Sequence, residues 1–180
     1  RRKIGDLLAD KQVVIRAAGK MEFGPRALGN RSILCNASDA SINDWLNKRL
    51  ERSEFMPFAP VTTEDAAASF FARFDPARSR AARFMTVTYD VTERCVAEAP
   101  AIVHVDRTAR PQVVRRDMNP HLHDILEEYG RLTGSPILVS EAAKLQAGPL
   151  HLSQLVPGPV TIVAPQPGAV FADDVKVRVQ

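Results

Sequence analysis

Gln12-Val-Val-Ile-Arg-Ala-Ala-Gly-Lys-Met-Glu-Phe-Gly-Pro-Arg-Ala-Leu-Gly-Asn-Arg-Ser-Ile-Leu34 is two apolar runs around one polar loop. Gln12–Ala17 is a nearly continuous β-branched run and reads as an interior strand, with Ser32–Leu34 opening a second. Between them, Lys20–Ser32 carries a carboxylate, a lysine, two arginines, an asparagine, a serine and two glycines. A charged loop held between two buried strands exposes its polar groups where a fold positions them for use. Gly24 and Gly29 allow a tight backbone and close approach to a ligand, and Pro25 fixes a dihedral between them. Arg26 and Arg31 are planar donor forks suited to phosphate or carboxylate oxygens. Lys20 adds a mobile charge, Asn30 and Ser32 add neutral donors, and Glu22 can orient an arginine or accept a substrate amide. Two readings stand: an anion site, or a Glu–Arg ion pair that holds a turn together.

The loop is not a P-loop, because no Gly-Lys-Ser/Thr follows Gly29, and it lacks the G-x-G opening of a dinucleotide fingerprint. At 180 residues, with 45% apolar and 25% charged residues, the chain has the size and composition of one soluble globular domain. Lys plus Arg is 24 against 21 for Asp plus Glu, a formal charge of +3. That is too mild to argue for nucleic acid as a partner, although its sign suits a small anion. Cys35 and Cys95 are far apart with no metal-ligand spacing, so both read as buried apolar residues and no metal site is expected. No apolar run of about 18 residues and no signal-peptide pattern are present, so no membrane partner and a cytoplasmic location are expected. The opening Arg1-Arg-Lys3, with no initiator Met, suits a piece of a longer protein.

Ile4, Leu7 and Leu8 are spaced as one face of a short helix. Asn36–Asp39 offers N-caps for a second helix, whose face is Ile42, Trp45, Leu46 and Leu50. Phe55-Met-Pro-Phe-Ala-Pro60 is excluded from helix by its two prolines and reads as a stiff extended segment. Thr62 or Thr63 caps a third helix, with Glu64 and Asp65 in its first turn. Phe74–Arg83 reads as an exposed loop, Phe84–Val91 as a strand and Glu93–Pro100 as a connector. Ala101–Val105 reads as an interior strand, with Gln112–Arg115 beside it or a neighbour. Asn119-Pro120 opens a helix with Leu122, Ile125, Leu126 and Tyr129 on its buried face, closed near Gly134. Ile137–Ser140, Val160–Val163 and Val175–Val179 read as further strands. Helices and strands interleave up to Ser140, an α/β (α+β) pattern, and the tail is β-rich.

A second polar cluster, His104, Asp106, Thr108 and Arg110, follows the expected Ala101–Val105 strand. On a strand, His104 and Asp106 share one face, as an acid–base pair would, or as an ordinary exposed strand end. His121 and His123 are two apart on a helix and do not share a face for a metal.

Gly19-Lys-Met-Glu-Phe-Gly-Pro-Arg-Ala-Leu-Gly-Asn-Arg-Ser-Ile-Leu34 resembles the signature of the C-terminal domain of the NodU/CmcH-type carbamoyltransferases. Phe55–Pro60 is similar to that family's R-P-F-A-P block, His104–Arg110 to its H-V-D-G-T-A-R block, and Asn119–Gly134 also fits. The resemblance spans residues 1–140 and implies a YrdC-like twisted mixed sheet with flanking helices, followed by a divergent tail over 141–180 packed on the same domain. It implies binding of carbamoyl phosphate and ATP, with ATP as co-substrate and Mg2+ as its candidate companion, to form carbamoyl-adenylate. A separate N-terminal metal-binding domain of the same polypeptide would then transfer the carbamoyl group to an acceptor hydroxyl or amine. By that resemblance Lys20, Arg26 and Arg31 are phosphate clamps, acting by positioning and charge neutralisation. Glu22, Gly24, Asn30, Ser32, His104, Asp106, Thr108 and Arg110 line the same cleft. The alternative is a non-catalytic nucleotide- or RNA-binding module of the same fold. Three positions depart from the pattern. Met56 stands where the family often has Arg, Arg107 replaces a Gly, and Ser140-Glu-Ala-Ala replaces an N-T-S-F-N block of pocket-facing donors.

Overall fold

The computed structural model describes residues 2–19, 22, 24–50, 58–143 and 160–163. Helix α1 (Arg2–Ala9) leads into strand β1 (Val13–Ala17), and β2 (Arg31–Asn36) returns antiparallel to it across the polar loop. Then follow α2 (Ser41–Arg49), β3 (Ala59–Thr63), α3 (Glu64–Phe70), β4 (Tyr89–Asp90), α4 (Glu93–Glu98), β5 (Thr108–Ala109) and β6 (Gln112–Val114). The last described elements are α5 (Pro120–Thr133), β7 (Ile137–Ala142) and β8 (Val160–Val163).

The main sheet has the order β6-β3-β7-β2-β1-β8, and β4 and β5 form a separate two-stranded ribbon. β1 with β8 and β3 with β6 are parallel, and the other pairs of the main sheet are antiparallel. The interleaved pattern predicts an α/β (α+β) layering, and the mixed sheet with flanking helices is the form that the family resemblance implies. Both faces are covered, and successive strand residues divide between them. Val14, Leu34, Val61, Val114 and Leu138 face α1 and α5, packing on Leu8, Leu122, Ile125, Leu126 and Tyr129. Val13, Ile33, Cys35, Val113, Ile137 and Val139 face the opposite layer, with Leu46, Phe58, Phe70, Phe71 and Ile102. A sheet buried on two sides needs the long apolar runs seen in β1, β2 and β7. Among the described residues no helix is long and apolar enough to cross a membrane.

Helix α5 follows its local signals closely. The Asn119 side chain accepts from Leu122 N at 3.1 Å, Pro120 occupies the first turn, and Gly134 ends the helix at φ 80°. Helix α2 has no side-chain cap: Ala40 precedes it, and Asp39 Oδ1 accepts from Ser41 N instead. Thr63 stands at the cap position of α3 without a side-chain cap bond.

Four segments differ from the sequence expectations. Phe84–Val91 contributes only Tyr89–Asp90 as strand. Phe84 is exposed at the end of a 3-10 helix, and the buried Met85 takes a left-handed φ of 55° that breaks an extended run. Glu93–Pro100 is not a mere connector: Thr92 Oγ1 accepts from Cys95 N at 3.2 Å and caps α4. Ala101–Val105 is not a strand. A 3-10 turn over Pro100–Ile102 runs into a tight turn in which Arg107 N donates to His104 O at 2.9 Å, leaving Val105 fully exposed. Phe74–Arg83 is also less open than its charge suggests, since Phe74, Ser79 and Ala82 are buried and Arg80–Phe84 is a 3-10 helix. Phe55–Pro57 and the tail strand Val175–Val179 lie outside the described residues, and β8 adds to the main sheet beside β1.

Candidate functional site

The loop between β1 and β2 is built by satisfying its own backbone. A loop of this shape leaves peptide groups without ladder partners, and each must find one. Glu22 supplies acceptors: Oε2 takes Leu28 N at 3.0 Å and Oε1 takes Asn30 N at 2.9 Å. Arg31 supplies donors: Nη2 gives to Gly24 O at 3.0 Å and Arg26 O at 3.3 Å. The two side chains lie 3.7 Å apart, Nε to Oε2, both mostly buried. The ion-pair reading of this motif is therefore realised, and the pair organises the loop.

Residues 28–30 are then fastened to four other elements. From β2, Ser32 Oγ accepts Gly29 N at 3.0 Å. From β1, Arg16 Nη1 donates to Gly29 O and to Asn30 Oδ1. From β6, Gln112 Nε2 donates to Leu28 O at 2.8 Å. From the cap of α5, Asn119 Nδ2 donates to Asn30 Oδ1 at 3.1 Å, so its amide holds the helix with one end and the loop with the other. Gly29 is required here: its φ is 106°, and a Cβ would stand 2.3 Å from Leu122 Cδ2. Arg16 is 4% exposed, and burial draws its pKa down while the Glu22 charge pushes it back up.

Gly24, Pro25 and Arg26 form the exposed lip of the loop. Of the expected clamps, Arg26 is open to an incoming anion. Arg31 is partly committed to two carbonyls and Glu22, and Lys20 lies outside the described residues. Glu22, Asn30 and Ser32 are joined in one network, in which they hold the loop.

The second cluster is joined through a turn, not a strand face. Asp106 Oδ1 accepts Thr108 N at 3.0 Å and Thr108 Oγ1 at 2.8 Å. His104 Nδ1 lies 3.1 Å from the same Oγ1. Because the Thr108 hydroxyl proton points to Asp106, Nδ1 carries its own proton toward Thr108, and Nε2 is left as the acceptor. The Thr108 hydrogen bonds hold the Asp106 carboxyl below its ordinary pKa. Burial lowers the His104 pKa, the Asp106 charge opposes this, and the Arg110 charge adds to it. His104 and Asp106 thus meet through Thr108. Arg107 closes the turn at φ 60°, so the position where the resembled family has Gly keeps a left-handed backbone. Its Nη2 reaches Glu93 Oε1 at 2.5 Å. The chain then runs from Thr108 past the half-buried Arg110 to Gln112, which links this cluster to the loop.

The point where the sequence leaves the family pattern lies at the base of the loop. Ala142 pairs with Ser32, and Ala143 N donates to Arg31 O at 2.9 Å. Ser140 is 2% exposed, and its Oγ has no hydrogen-bond partner among the described residues. Sequence reasoning missed Arg16, Gln112 and the second role of Asn119. An arginine inside an otherwise apolar strand was the available signal for the first. The others depend on contacts across 84 and 89 positions.

The family model described as Carbamoyltransferase C-terminus matches residues 5–151. Nodulation protein U of Azorhizobium caulinodans is 40% identical over 141 residues, covering 78% of this chain and 24% of that protein. Nodulation protein NolO of Bradyrhizobium diazoefficiens is 38% identical over 146 residues, covering 81% and 26%. An uncharacterised protein of Methanocaldococcus jannaschii is 36% identical over 149 residues, covering 82% and 28%. The chain thus spans about a quarter of the length of these curated relatives. Among solved structures, HypF of T. kodakarensis aligns with a TM-score of 0.47 at 17% identity, over 77% of this chain and 16% of that one, a likeness too distant to carry an argument. With more than half of its length matched by the family model, the chain belongs to the carbamoyltransferase C-terminal family.

Proposed function

We propose that this chain is the part of a carbamoyltransferase that binds carbamoyl phosphate and ATP and joins them as carbamoyl-adenylate. The carbamoyl group exchanges its phosphate for the α-phosphate of ATP, one water is consumed, and phosphate and pyrophosphate leave. A separate N-terminal domain of the same polypeptide then passes the carbamoyl group to an acceptor hydroxyl or amine. Family membership supports the transferase class. The observation that carries the site is the fastening of Leu28–Asn30 by Arg16, Ser32, Gln112 and Asn119. A loop held from four sides keeps its cationic lip in one place before ligand arrives, and positioning is the main lever in phosphoryl and nucleotidyl transfer.

Calorimetric titration with carbamoyl phosphate and with ATP, alongside an assay of pyrophosphate release, tests this. Binding of both ligands is expected; no heat for either at millimolar concentration would sink the reading. The second reading is a binding module without turnover. The partial commitment of Arg31 to loop carbonyls and the two alanines at the loop base, Ala142 of β7 and Ala143 after it, favour it. Binding with no pyrophosphate released, even with the N-terminal domain supplied, would decide for it.

A further inference from the structure

The first half of α5 carries a group of side chains that neither the loop nor the small ribbon uses. His123 is 5% exposed, and its Nδ1 has no hydrogen-bond partner among the described residues. That nitrogen faces Glu127 Oε2 at 3.5 Å, one helical turn away. Asp124 completes the group: one ligand atom from each of His123, Asp124 and Glu127 lies within 4.8 Å of the others. Arg116 lies across the carboxylates, with Nη2 at 2.9 Å from Asp124 Oδ1 and Nη1 at 3.0 Å from Glu127 Oε2. The guanidinium accounts for both acids. It leaves the buried nitrogen with the 3.5 Å approach to Glu127 and, among the described residues, no hydrogen bond.

We infer that His123, Asp124 and Glu127 form a binding site for a divalent transition cation of the Zn2+ or Co2+ kind, with Arg116 as a displaceable internal cation. One imidazole and two carboxylates make a mixed nitrogen and oxygen set that these ions accept, with water completing the shell. Mg2+ and Ca2+ prefer oxygen alone. The i, i+4 spacing puts His123 and Glu127 on one helix face. His123 Nδ1 and Glu127 Oε2 lie 3.5 Å apart outside hydrogen-bond geometry, a separation at which one cation can be bound by both atoms. Small rotations close the remaining distance, because the Glu127 and Arg116 side chains are 51% and 62% exposed. Arg116 can swing into water when the ion arrives. The same end of α5 meets the polar loop, since Asn119 Nδ2 donates to Asn30 Oδ1 and Leu122 stands against Gly29; the ion proposed here has no part in the proposed carbamoyl chemistry.

The test is titration of the 180-residue chain with Co2+, followed by its visible absorption bands, and with Zn2+ by calorimetry. One equivalent is expected to bind. Arg116→Gln removes the competing cation and should tighten binding at least severalfold. Glu127→Gln should weaken it by about tenfold or more, since even outer-shell partners of a metal carry that much. His123→Gln should abolish the Co2+ bands. Should that buried substitution unfold the chain, the exposed Glu127→Gln still decides. No Co2+ binding by the Arg116→Gln protein, or an affinity unmoved by Glu127→Gln, overturns the site.

Discussion

Arg16 and Asn30 meet at 3.0 Å, guanidinium Nη1 to side-chain oxygen, and this contact ties the interior of β1 to the tip of the polar loop. The arginine sits 4% exposed in an otherwise apolar strand, directly opposite Ser32 on β2. Arg16→Ala strips the donor from Gly29 O and Asn30 Oδ1 together. A loss of about 3 kcal/mol in urea unfolding is expected. A change below about 0.5 kcal/mol, the scale of an ordinary surface substitution, would remove Arg16 from the fastening.

The two loop glycines should behave differently. At Gly24 the φ of 136° is the obstacle to a side chain, because among the described residues nothing lies within 4 Å of an added Cβ. Gly24→Ala should cost about 1–2 kcal/mol of backbone strain. Gly29→Ala adds a collision with Leu122 and should cost about 3 kcal/mol or more. Thermal unfolding of both variants checks the order, and equal losses would contradict the close approach to α5.

Arg107 holds a left-handed backbone at φ 60° that glycine adopts without strain. Its ion pair with Glu93 is mostly exposed, at 56% and 86%, and so adds little. Arg107→Gly should therefore stabilise the chain by about 0.5–1 kcal/mol. A less stable variant would mean that the Glu93 contact matters more than the strain.

Acid should weaken the fold through His104. Burial sets its folded pKa below the ordinary 6.5. Between that lower value and 6.5 the unfolded chain holds the extra proton, so stability is complete above 6.5 and falls as pH drops through the window. Urea midpoints at pH 7.5 and about 5.5 measure the slope, and His104→Gln should flatten it. An unchanged slope in that variant would place the titration elsewhere.

Arg26 stands at the exposed lip with its fork open. If bound carbamoyl phosphate or ATP covers it, Arg26→Ala should cost about 2–5 kcal/mol of affinity with little effect on stability. Calorimetry on wild type and variant gives the answer, and an unchanged dissociation constant would remove Arg26 from the site.

Much of the frame is determined by local chemistry and is legible in the chain. The apolar runs of β1, β2 and β7, the Asn119-Pro120 start of α5, its i, i+3, i+4 face and its Gly134 stop depend on neighbours within a few residues. The motif around Gly24 and Gly29 was likewise legible as a charged loop, with an anion site and a Glu–Arg pair as its two readings. Tertiary structure decided the rest. Ala101–Val105 has strand composition, yet Pro100 and the left-handed Arg107 fold it into turns, and only the folded sheet, whose described strands leave it out, shows this. His104 and Asp106 were expected to share a strand face, and they meet instead through Thr108. The roles of Arg16, Gln112 and Asn119 rest on partners 13 to 89 positions away. A buried polar group is placed by whatever completes its hydrogen bonds, and that partner is found only once the chain has folded back on itself.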